Sequence, residues 1–266
     1  MKPLWVIQEN MDGVDTSGLR EEIVRHGMIF DLVPHRLGGQ LGFGQYDPQQ
    51  CILYYGEIDF VRQVITRAPF IPGAWCNFKN MQCSTYYAYL GEHLLNDRYI
   101  MMPVGDLLRQ IDRITIDWCS DRVFIRPDSG AKPFTGYVVD IKEKHKIGQL
   151  VESVGPDTLV VVAPAKAITA EWRFVVCDRK VVTGCRYLPT ESPDYPADSL
   201  RLAEKVSQLE WQPDLCYTVD IAESEGEMRV LELNSFSCSG FYECDPAAIV
   251  EHASCVAREE WADYCA

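Results

Sequence analysis

Two polar side chains lie two residues apart in an apolar segment near the end of the chain. Glu232 and Asn234 belong to the segment 231–235, and the two-residue period of a strand puts both side chains on one face. Asp220 lies in the preceding apolar run, and the residues 223–227 between the two runs predict a hairpin turn. Mg²⁺ binds oxygen ligands, through one or two carboxylates plus substrate phosphates. The three side chains therefore indicate a Mg²⁺ site at a nucleotide, with a solvated acidic hairpin as the alternative.

A second group of candidates consists of cations near small residues. Arg126 ends an apolar strand at 122–126, and Lys132 lies in the small-residue loop 127–136. Small residues let backbone N–H groups approach an anion, and the two cations add positive charge. The pattern predicts a phosphate-binding loop, with a surface hairpin that carries solvated cations as the alternative.

Further candidates follow an apolar strand at 158–166 that ends at Pro164 and Lys166. In the next strand Glu171 and Arg173 share a face, and Arg186 lies on the hairpin partner of that strand. A buried strand that ends in a short linker can offer backbone groups to an adenine edge while Lys166 reaches toward phosphate. For each of these side chains taken alone, ordinary solvation is the alternative.

Composition and charge narrow the class of protein. A chain of 266 residues that is 47% hydrophobic can bury a full core. The net charge of -14 argues against a surface that tracks nucleic-acid phosphates. The first residues turn acidic too soon for a secretory signal, and no apolar run is long enough to span a membrane. These features predict a soluble cytoplasmic protein that binds neither nucleic acid nor membranes.

The 11 cysteines are odd in number and scattered, without a Cys-x-x-Cys pair. This pattern favours reduced core thiols over a disulfide framework or a zinc site. Cys238 lies close to the Glu-x-Asn segment, where it is either a small residue of a tight loop or a thiol with a role of its own. The five histidines form no metal pair, and no Ser-His-Asp or Cys-His constellation stands out.

The first hundred residues alternate between strand-like and helix-like segments, which predicts a βαβ lobe with a parallel sheet. The glycine-rich segment 38–44 lacks the Lys-Ser/Thr ending of a phosphate loop and is interpreted as an ordinary loop. The predicted strands of this lobe are 4–8, 29–33 and 51–55, and its predicted helices are 16–26 and 58–67. Later helices are predicted at 84–95, 104–114 and 145–154.

The order of the later motifs resembles the ATP-grasp superfamily of carboxylate–amine ligases, from about residue 101 to the end and most clearly at 171–187 and 217–241. It is similar to compact clades related to the glutamate ligases that modify ribosomal protein, many of them found in phage and bacterial conflict or peptide-tailoring systems. The resemblance implies an α/β (α+β) chain with an ATP-grasp fold. The implied parts are an N-terminal pre-ATP-grasp αβ lobe at 1–100, a central subdomain with the phosphate-covering loop at 101–163, and a C-terminal subdomain with the Mg²⁺ site at 164–266.

The resemblance also implies roles for the candidate residues. The implied metal ligands are Asp220, Glu232 and Asn234; the nucleotide-binding residues are Arg126, Lys132, Lys166 and Glu171; the arginines that face an acyl phosphate are Arg173 and Arg186. Three departures from the family pattern stand out: Arg126 replaces a commoner Lys, the phosphate-covering loop is short, and the residues 236–240 replace the usual Pro-Gly after Glu-x-Asn.

The function implied is an ATP-dependent ligase that joins a carboxylate to an amine through an acyl phosphate, with ATP and Mg²⁺ as cofactors. An amino acid or a peptide is the expected partner, and ADP and phosphate are the expected products. One alternative is a kinase-like phosphotransferase on the same fold. The other is a non-catalytic binding module. The sequence predicts neither the two substrates nor the oligomeric state.

Overall fold

The strands of the chain assemble into three four-stranded sheets. The computed structural model describes residues 2–34, 45–47 and 49–266, and the sheets are those of this part of the chain. The glycine-rich loop expected at 38–44 lies outside the described residues. None of the described helices is long and apolar enough to cross a membrane.

The N-terminal lobe contains a parallel sheet in the order β2-β1-β3-β4. Its elements are β1 (Leu4–Gln8), α1 (Ser17–Arg25), β2 (Ile29–Val33), β3 (Ile52–Tyr55), α2 (Ile58–Arg67) and β4 (Pro72–Gly73). All five residues of β1 are buried, as expected for a central strand of a parallel sheet that is covered on both faces. The predicted βαβ lobe is confirmed.

The second sheet is antiparallel, in the order β5-β8-β6-β7. Its elements, after α3 (Cys83–Leu90), are β5 (Ile100–Pro103), α4 (Val104–Trp118), β6 (Arg122–Pro127), β7 (Tyr137–Asp140), α5 (His145–Val154) and β8 (Leu159–Pro164). Leu107 and Ile111 of α4 share a buried core with Ile147 of α5. The helices thus support the sheet, and the loop after β6 is left to reach toward the third sheet.

The third sheet is also antiparallel, in the order β10-β9-β11-β12. Its elements are β9 (Ala170–Cys177), β10 (Lys180–Leu188), α6 (Ala197–Ser207), β11 (Cys216–Ser224) and β12 (Glu227–Ser235). The predicted turn between the last two strands is confirmed, with Glu225 and Gly226 both at positive φ. The mixture of helices and sheets agrees with the predicted α/β (α+β) class.

The last helix, α7 (Pro246–Cys265), ties the two ends of the chain together. Asp245 caps it by accepting a hydrogen bond from the backbone N–H of Ala247, and Pro246 fits its first turn. Trp5 of β1 donates its indole N–H to Ser254 of this helix at 3.1 Å. Helices α6 and α7 are absent from the sequence-based expectations. The packing of α7 shows that the end of the chain completes the core of the N-terminal lobe.

The domain boundaries at 100 and 163 stay a prediction.

Candidate functional site

The three expected metal ligands lie side by side on the third sheet. Asp220 pairs with Glu232 and Thr218 with Asn234 in the register of β11 and β12. The amide nitrogen of Asn234 donates to Asp220 Oδ2 at 3.0 Å and to Glu232 Oε1 at 3.1 Å. Two carboxylates and one amide therefore form a compact group of oxygen-bearing side chains, in the half of the β11–β12 hairpin that lies away from its turn.

Two cations from the second sheet contact this group. Arg126, the penultimate residue of β6, donates to Glu232 Oε2 at 2.8 Å. The Lys132 ammonium group donates to both Glu232 oxygens, at 3.1 and 3.2 Å, and to Asn234 Oδ1. The arginine is only 7% exposed. The site therefore lies between the second and third sheets, where β6 and the loop after it contribute two cations and the third sheet contributes the carboxylates.

These cations set the protonation of Glu232. Burial by itself would raise the pKa of this carboxyl, but the charges of Lys132 and Arg126 outweigh burial. They hold the pKa of Glu232 well below its usual range. The carboxylate is therefore ionised across the physiological pH range and is suited to bind a cation.

Arg173 forms a buried ion pair with Asp220. The register of β9 and β11 pairs these two residues directly, and the guanidinium binds both carboxylate oxygens, at 2.8 and 2.6 Å. A further N–H group of Arg173 donates to the carbonyl of Gly240 at 2.8 Å. Burial raises the pKa of Asp220, and the Arg173 charge opposes this shift. The pair fixes the guanidinium at the floor of the site.

A stacked pair of tyrosines covers the Arg173 guanidinium. The rings of Tyr187 and Tyr242 are nearly parallel with centroids 4.9 Å apart, and the guanidinium carbon lies 5.6 and 5.1 Å from the two ring centroids. The Tyr187 hydroxyl donates to Glu171. Burial raises the pKa of Glu171, against the effect of this hydrogen bond. Sequence reasoning missed both tyrosines, because Tyr187 depends on a strand irregularity and Tyr242 lies in an irregular segment.

Arg186 lies away from the cluster. In the register of β9 and β10 it pairs with Trp172, whereas Cys185 pairs with Arg173. Arg186 therefore projects from the opposite face, and its guanidinium donates to the Thr190 carbonyl at 3.1 Å. The register shifts between Arg186 and Leu188, and this bulge turns Tyr187 toward Glu171 in its place.

Lys166 also lies outside the cluster. It follows β8 in the linker to β9, as the sequence predicts, and its ammonium group donates to Asp97 Oδ1 at 2.6 Å and to the Leu95 carbonyl. The structure thus brings six of the nine predicted residues into one network, with Glu171 beside it through Tyr187. Those six are Arg126, Lys132, Arg173, Asp220, Glu232 and Asn234.

A narrow cleft of about 40 Å³ opens between the cations and β12. Arg126, Lys132, Asn234 and Cys238 are among its lining residues. A larger cleft of about 830 Å³ lies near the end of α7, lined by residues such as Trp261. We place the candidate site at the narrow cleft, because it alone of these two is lined by Arg126, Lys132 and Asn234.

The donor set suits Mg²⁺ better than a softer metal. The oxygens of Asp220, Glu232 and Asn234 are the hard ligands that Mg²⁺ prefers, and substrate phosphates complete its coordination in proteins of many kinds. Across residues 2–34, 45–47 and 49–266, no group of three or more His, Cys, Asp or Glu side chains is placed to hold a metal ion, and the candidate set consists of two carboxylates and one amide. The residues present therefore fit a metal ion that arrives together with a nucleotide.

Comparison with known proteins confirms the predicted ATP-grasp fold. The family described as "ATP-grasp domain, R2K clade family 3" matches residues 94–252. A comparison with curated protein sequences gives no match.

Solved structures share the fold over nearly their whole length. D-cycloserine synthetase DcsG is 14% identical with a TM-score of 0.64, and the match covers 96% of this chain and 99% of that one. A RimK domain ATP-grasp protein from Sphaerobacter thermophilus is 14% identical with a TM-score of 0.63, covering 94% and 98%. D-alanine–D-alanine ligase from Bacillus anthracis is 14% identical with a TM-score of 0.60, covering 98% and 100%. At these identities the likeness concerns the fold alone.

Proposed function

The chain belongs to family 3 of the R2K clade of ATP-grasp domains, whose family pattern covers more than half of it, and on this premise we propose that it is an ATP-dependent carboxylate–amine ligase. It forms an amide bond and releases ADP and phosphate. The similar solved structures include ligases and a synthetase, which supports this class of reaction.

The observation that carries the proposal is the meeting of opposite charges across two sheets. Arg126 and Lys132 come from the second sheet, and Glu232 and Asn234 from the third. Phosphoryl transfer depends mainly on positioning and on neutralising the charge of the phosphoryl oxygens. A nucleotide whose phosphates enter between the sheets meets cations on one side and metal-ligand oxygens on the other.

The proposed roles follow from these positions. Asp220, Glu232 and Asn234 would hold Mg²⁺, which supplies charge neutralisation at the phosphates when bound. Arg126 and Lys132 would hold the transferred phosphoryl group, and the loop 127–136 would cover it against water.

The remaining predicted residues surround this centre. Arg173 would orient the acyl phosphate. Lys166 and Glu171 are assigned to the nucleotide, from the linker and from β9. The resemblance assigns Arg186 beside Arg173, but Arg186 lies on the opposite face of the hairpin, where its guanidinium donates to the Thr190 carbonyl.

The proposed reaction has two steps. A substrate carboxylate oxygen attacks the γ-phosphorus of ATP, and the bond to the bridging oxygen breaks, which yields an acyl phosphate and ADP. An amine nitrogen then attacks the acyl carbon, loses a proton, and expels phosphate. An amino acid or a peptide is the proposed partner, in keeping with the amino acids that D-alanine–D-alanine ligase is named for.

The first test measures nucleotide binding by thermal shift with Mg²⁺ and a non-hydrolysable ATP analogue. Ligand at a hundredfold excess over its dissociation constant stabilises a protein by about 2.7 kcal/mol, which raises the melting temperature by several degrees. We expect this rise in the wild type and its loss in Glu232→Ala. Glu227→Ala, an exposed change at the start of the same strand, is the matched control and should keep the rise.

The second test separates the ligase from its alternatives. ADP release that requires both a carboxylate and an amine, with an amide as product, supports the ligase. ADP release with a phosphorylated product and no amine consumed would favour a kinase-like phosphotransferase. If Mg²⁺ and nucleotide leave the melting temperature of the wild type unchanged, the chain is instead a binding module.

A further inference from the structure

Two cysteine thiols face each other next to the candidate site. Cys238 ends the short turn Phe236–Cys238 that follows β12, and Cys76 lies in the segment after β4. Their sulfur atoms are 3.8 Å apart. The adjacent residues lock these segments together, since the Trp75 N–H donates to Ser237 Oγ at 3.0 Å and the Ser237 N–H donates to the Trp75 carbonyl at 3.2 Å.

This arrangement brings the thiols close to bonding geometry. A disulfide has a sulfur–sulfur distance of about 2.0 Å, so the two atoms must approach by only about 1.8 Å from their 3.8 Å separation. The paired hydrogen bonds between Trp75 and Ser237 keep both segments in place during that approach. The pair is therefore preorganised for oxidation, unlike cysteines that meet only by chance.

Access to this pair comes from the candidate site itself. Cys76 is buried, but Cys238 is half-buried and lines the narrow cleft together with Lys132 and Asn234. Because a water-sized molecule needs about 10–15 Å³, a cleft of about 40 Å³ admits hydrogen peroxide. The Lys132 ammonium group adds the positive surroundings that favour a reactive thiolate.

A second close pair provides the internal comparison. Cys185 and Cys244 have their sulfur atoms 3.2 Å apart, yet both are buried and neither lines the cleft. If distance alone governed oxidation, this pair would react first. If access through the site governs it, Cys238 reacts first.

We propose that Cys238 and Cys76 form a peroxide-reactive thiol pair whose disulfide forms in competition with nucleotide binding. The Cys238 thiolate attacks one oxygen of hydrogen peroxide, the O–O bond breaks, and hydroxide leaves, which produces a sulfenic acid. The Cys76 sulfur then attacks Cys238 Sγ, the S–O bond breaks, and the departing hydroxide takes the Cys76 proton as water. Overall two thiols lose two electrons and one peroxide becomes two waters.

The competition rests on the proposed function. Phosphates bound between Lys132 and Asn234 would fill the cleft through which peroxide reaches Cys238. Mg²⁺ with the ATP analogue should therefore slow disulfide formation at least fivefold.

The test treats the reduced full-length protein with hydrogen peroxide, blocks remaining thiols, and follows the cross-linked peptides by mass spectrometry. We expect the Cys76–Cys238 peptide to appear several times faster than the Cys185–Cys244 peptide. Cys76→Ala should leave a sulfenic acid on Cys238 that dimedone labels, and Cys185→Ala, the matched control, should still form the Cys76–Cys238 bond. The proposal is overturned if no Cys76–Cys238 peptide forms, or if it forms no faster than the buried pair.

Nucleotide binding by the reduced protein is measured separately, by thermal shift. If the reduced protein binds Mg²⁺ and the analogue but disulfide formation keeps its rate, the competition is refuted while the proposed function stands. If the reduced protein binds no nucleotide but the disulfide forms, the proposed function and the competition both fail, and only the peroxide reactivity of the pair is supported.

Discussion

The ammonium group of Lys132 lies 3.1 and 3.2 Å from the two carboxylate oxygens of Glu232. It also donates to Asn234 Oδ1, so one protein cation contacts oxygens from two of the three proposed metal ligands. Since a metal ion and an ammonium group both need these oxygens, Lys132 and Mg²⁺ would compete for them in the proposed site until a nucleotide offers the lysine a phosphate.

Lys132→Ala should therefore change two affinities in opposite directions. Mg²⁺ alone should bind several-fold more tightly, because the competing cation is gone. Mg²⁺ with the ATP analogue should bind about tenfold to a hundredfold more weakly, because a hydrogen bond to a charged group contributes about 1.5–3 kcal/mol. Isothermal titration calorimetry measures both, with Lys146→Ala, an exposed ion-pair residue of α5, as the control. Equal weakening of both affinities would contradict the competition.

Arg173→Ala should destabilise the protein strongly. The change leaves the Asp220 carboxylate buried at 0% exposure without its bidentate partner, and removing one partner of a buried ion pair costs about 3–5 kcal/mol. Urea denaturation gives the free energy of unfolding. Arg201→Ala breaks an exposed pair with Asp198 and should cost less than about 1 kcal/mol. Similar losses of unfolding free energy in the two variants would show that the buried ion pair stabilises the protein no more than the exposed one.

Gly130→Ala should weaken nucleotide binding while the fold survives. A Cβ atom at this position would lie 2.7 Å from Met81 Cβ and 3.0 Å from the Phe78 carbonyl, so the loop that carries Lys132 must move away from the segment 78–81, which precedes α3. We expect at least a fivefold loss of affinity for Mg²⁺ and the ATP analogue, measured by calorimetry. Gly148→Ala is the matched control, because a Cβ there meets nothing within 4 Å. Unchanged affinity in Gly130→Ala would mean that the loop position does not matter for binding.

Asp214 should make stability depend on pH. Burial raises the pKa of its carboxyl to about 7, against the hydrogen bonds that it accepts from the N–H groups of Leu215 and Asn77. In the unfolded chain the pKa is about 3.9, so the folded state holds the proton more tightly. The resulting stabilisation is full below about pH 4 and is lost as pH rises through 7.

The variant Asp214→Asn isolates this contribution. Between pH 5 and pH 8 the free energy of unfolding of the wild type should fall, relative to that of the variant, by about 2–3 kcal/mol. Urea denaturation at several pH values measures the difference. Parallel pH profiles of the two proteins would show that Asp214 keeps an ordinary pKa.

Much of the fold was predictable because its signals are local. Apolar runs and turn residues located the strands of the N-terminal lobe and the hairpin that ends at Ser235, and the order of motifs indicated the ATP-grasp fold. The helix at 246–265 was missed, and its partner Trp5 lies at the other end of the chain. Its burial therefore depends on a contact that no local pattern contains.

The sequence by itself determined which side chains share a face within one strand. The two-residue period places Glu232 beside Asn234 whatever the rest of the fold does, because it follows from backbone geometry alone. Only the tertiary structure decided which strands and sheets meet. The strand order sets Arg173 against Asp220, the packing of two sheets brings Lys132 to Glu232, and the register that pairs Arg186 with Trp172 places Arg186 on the opposite face. These relationships depend on register and long-range packing, which act between segments far apart in the chain and leave no periodic signal in either one.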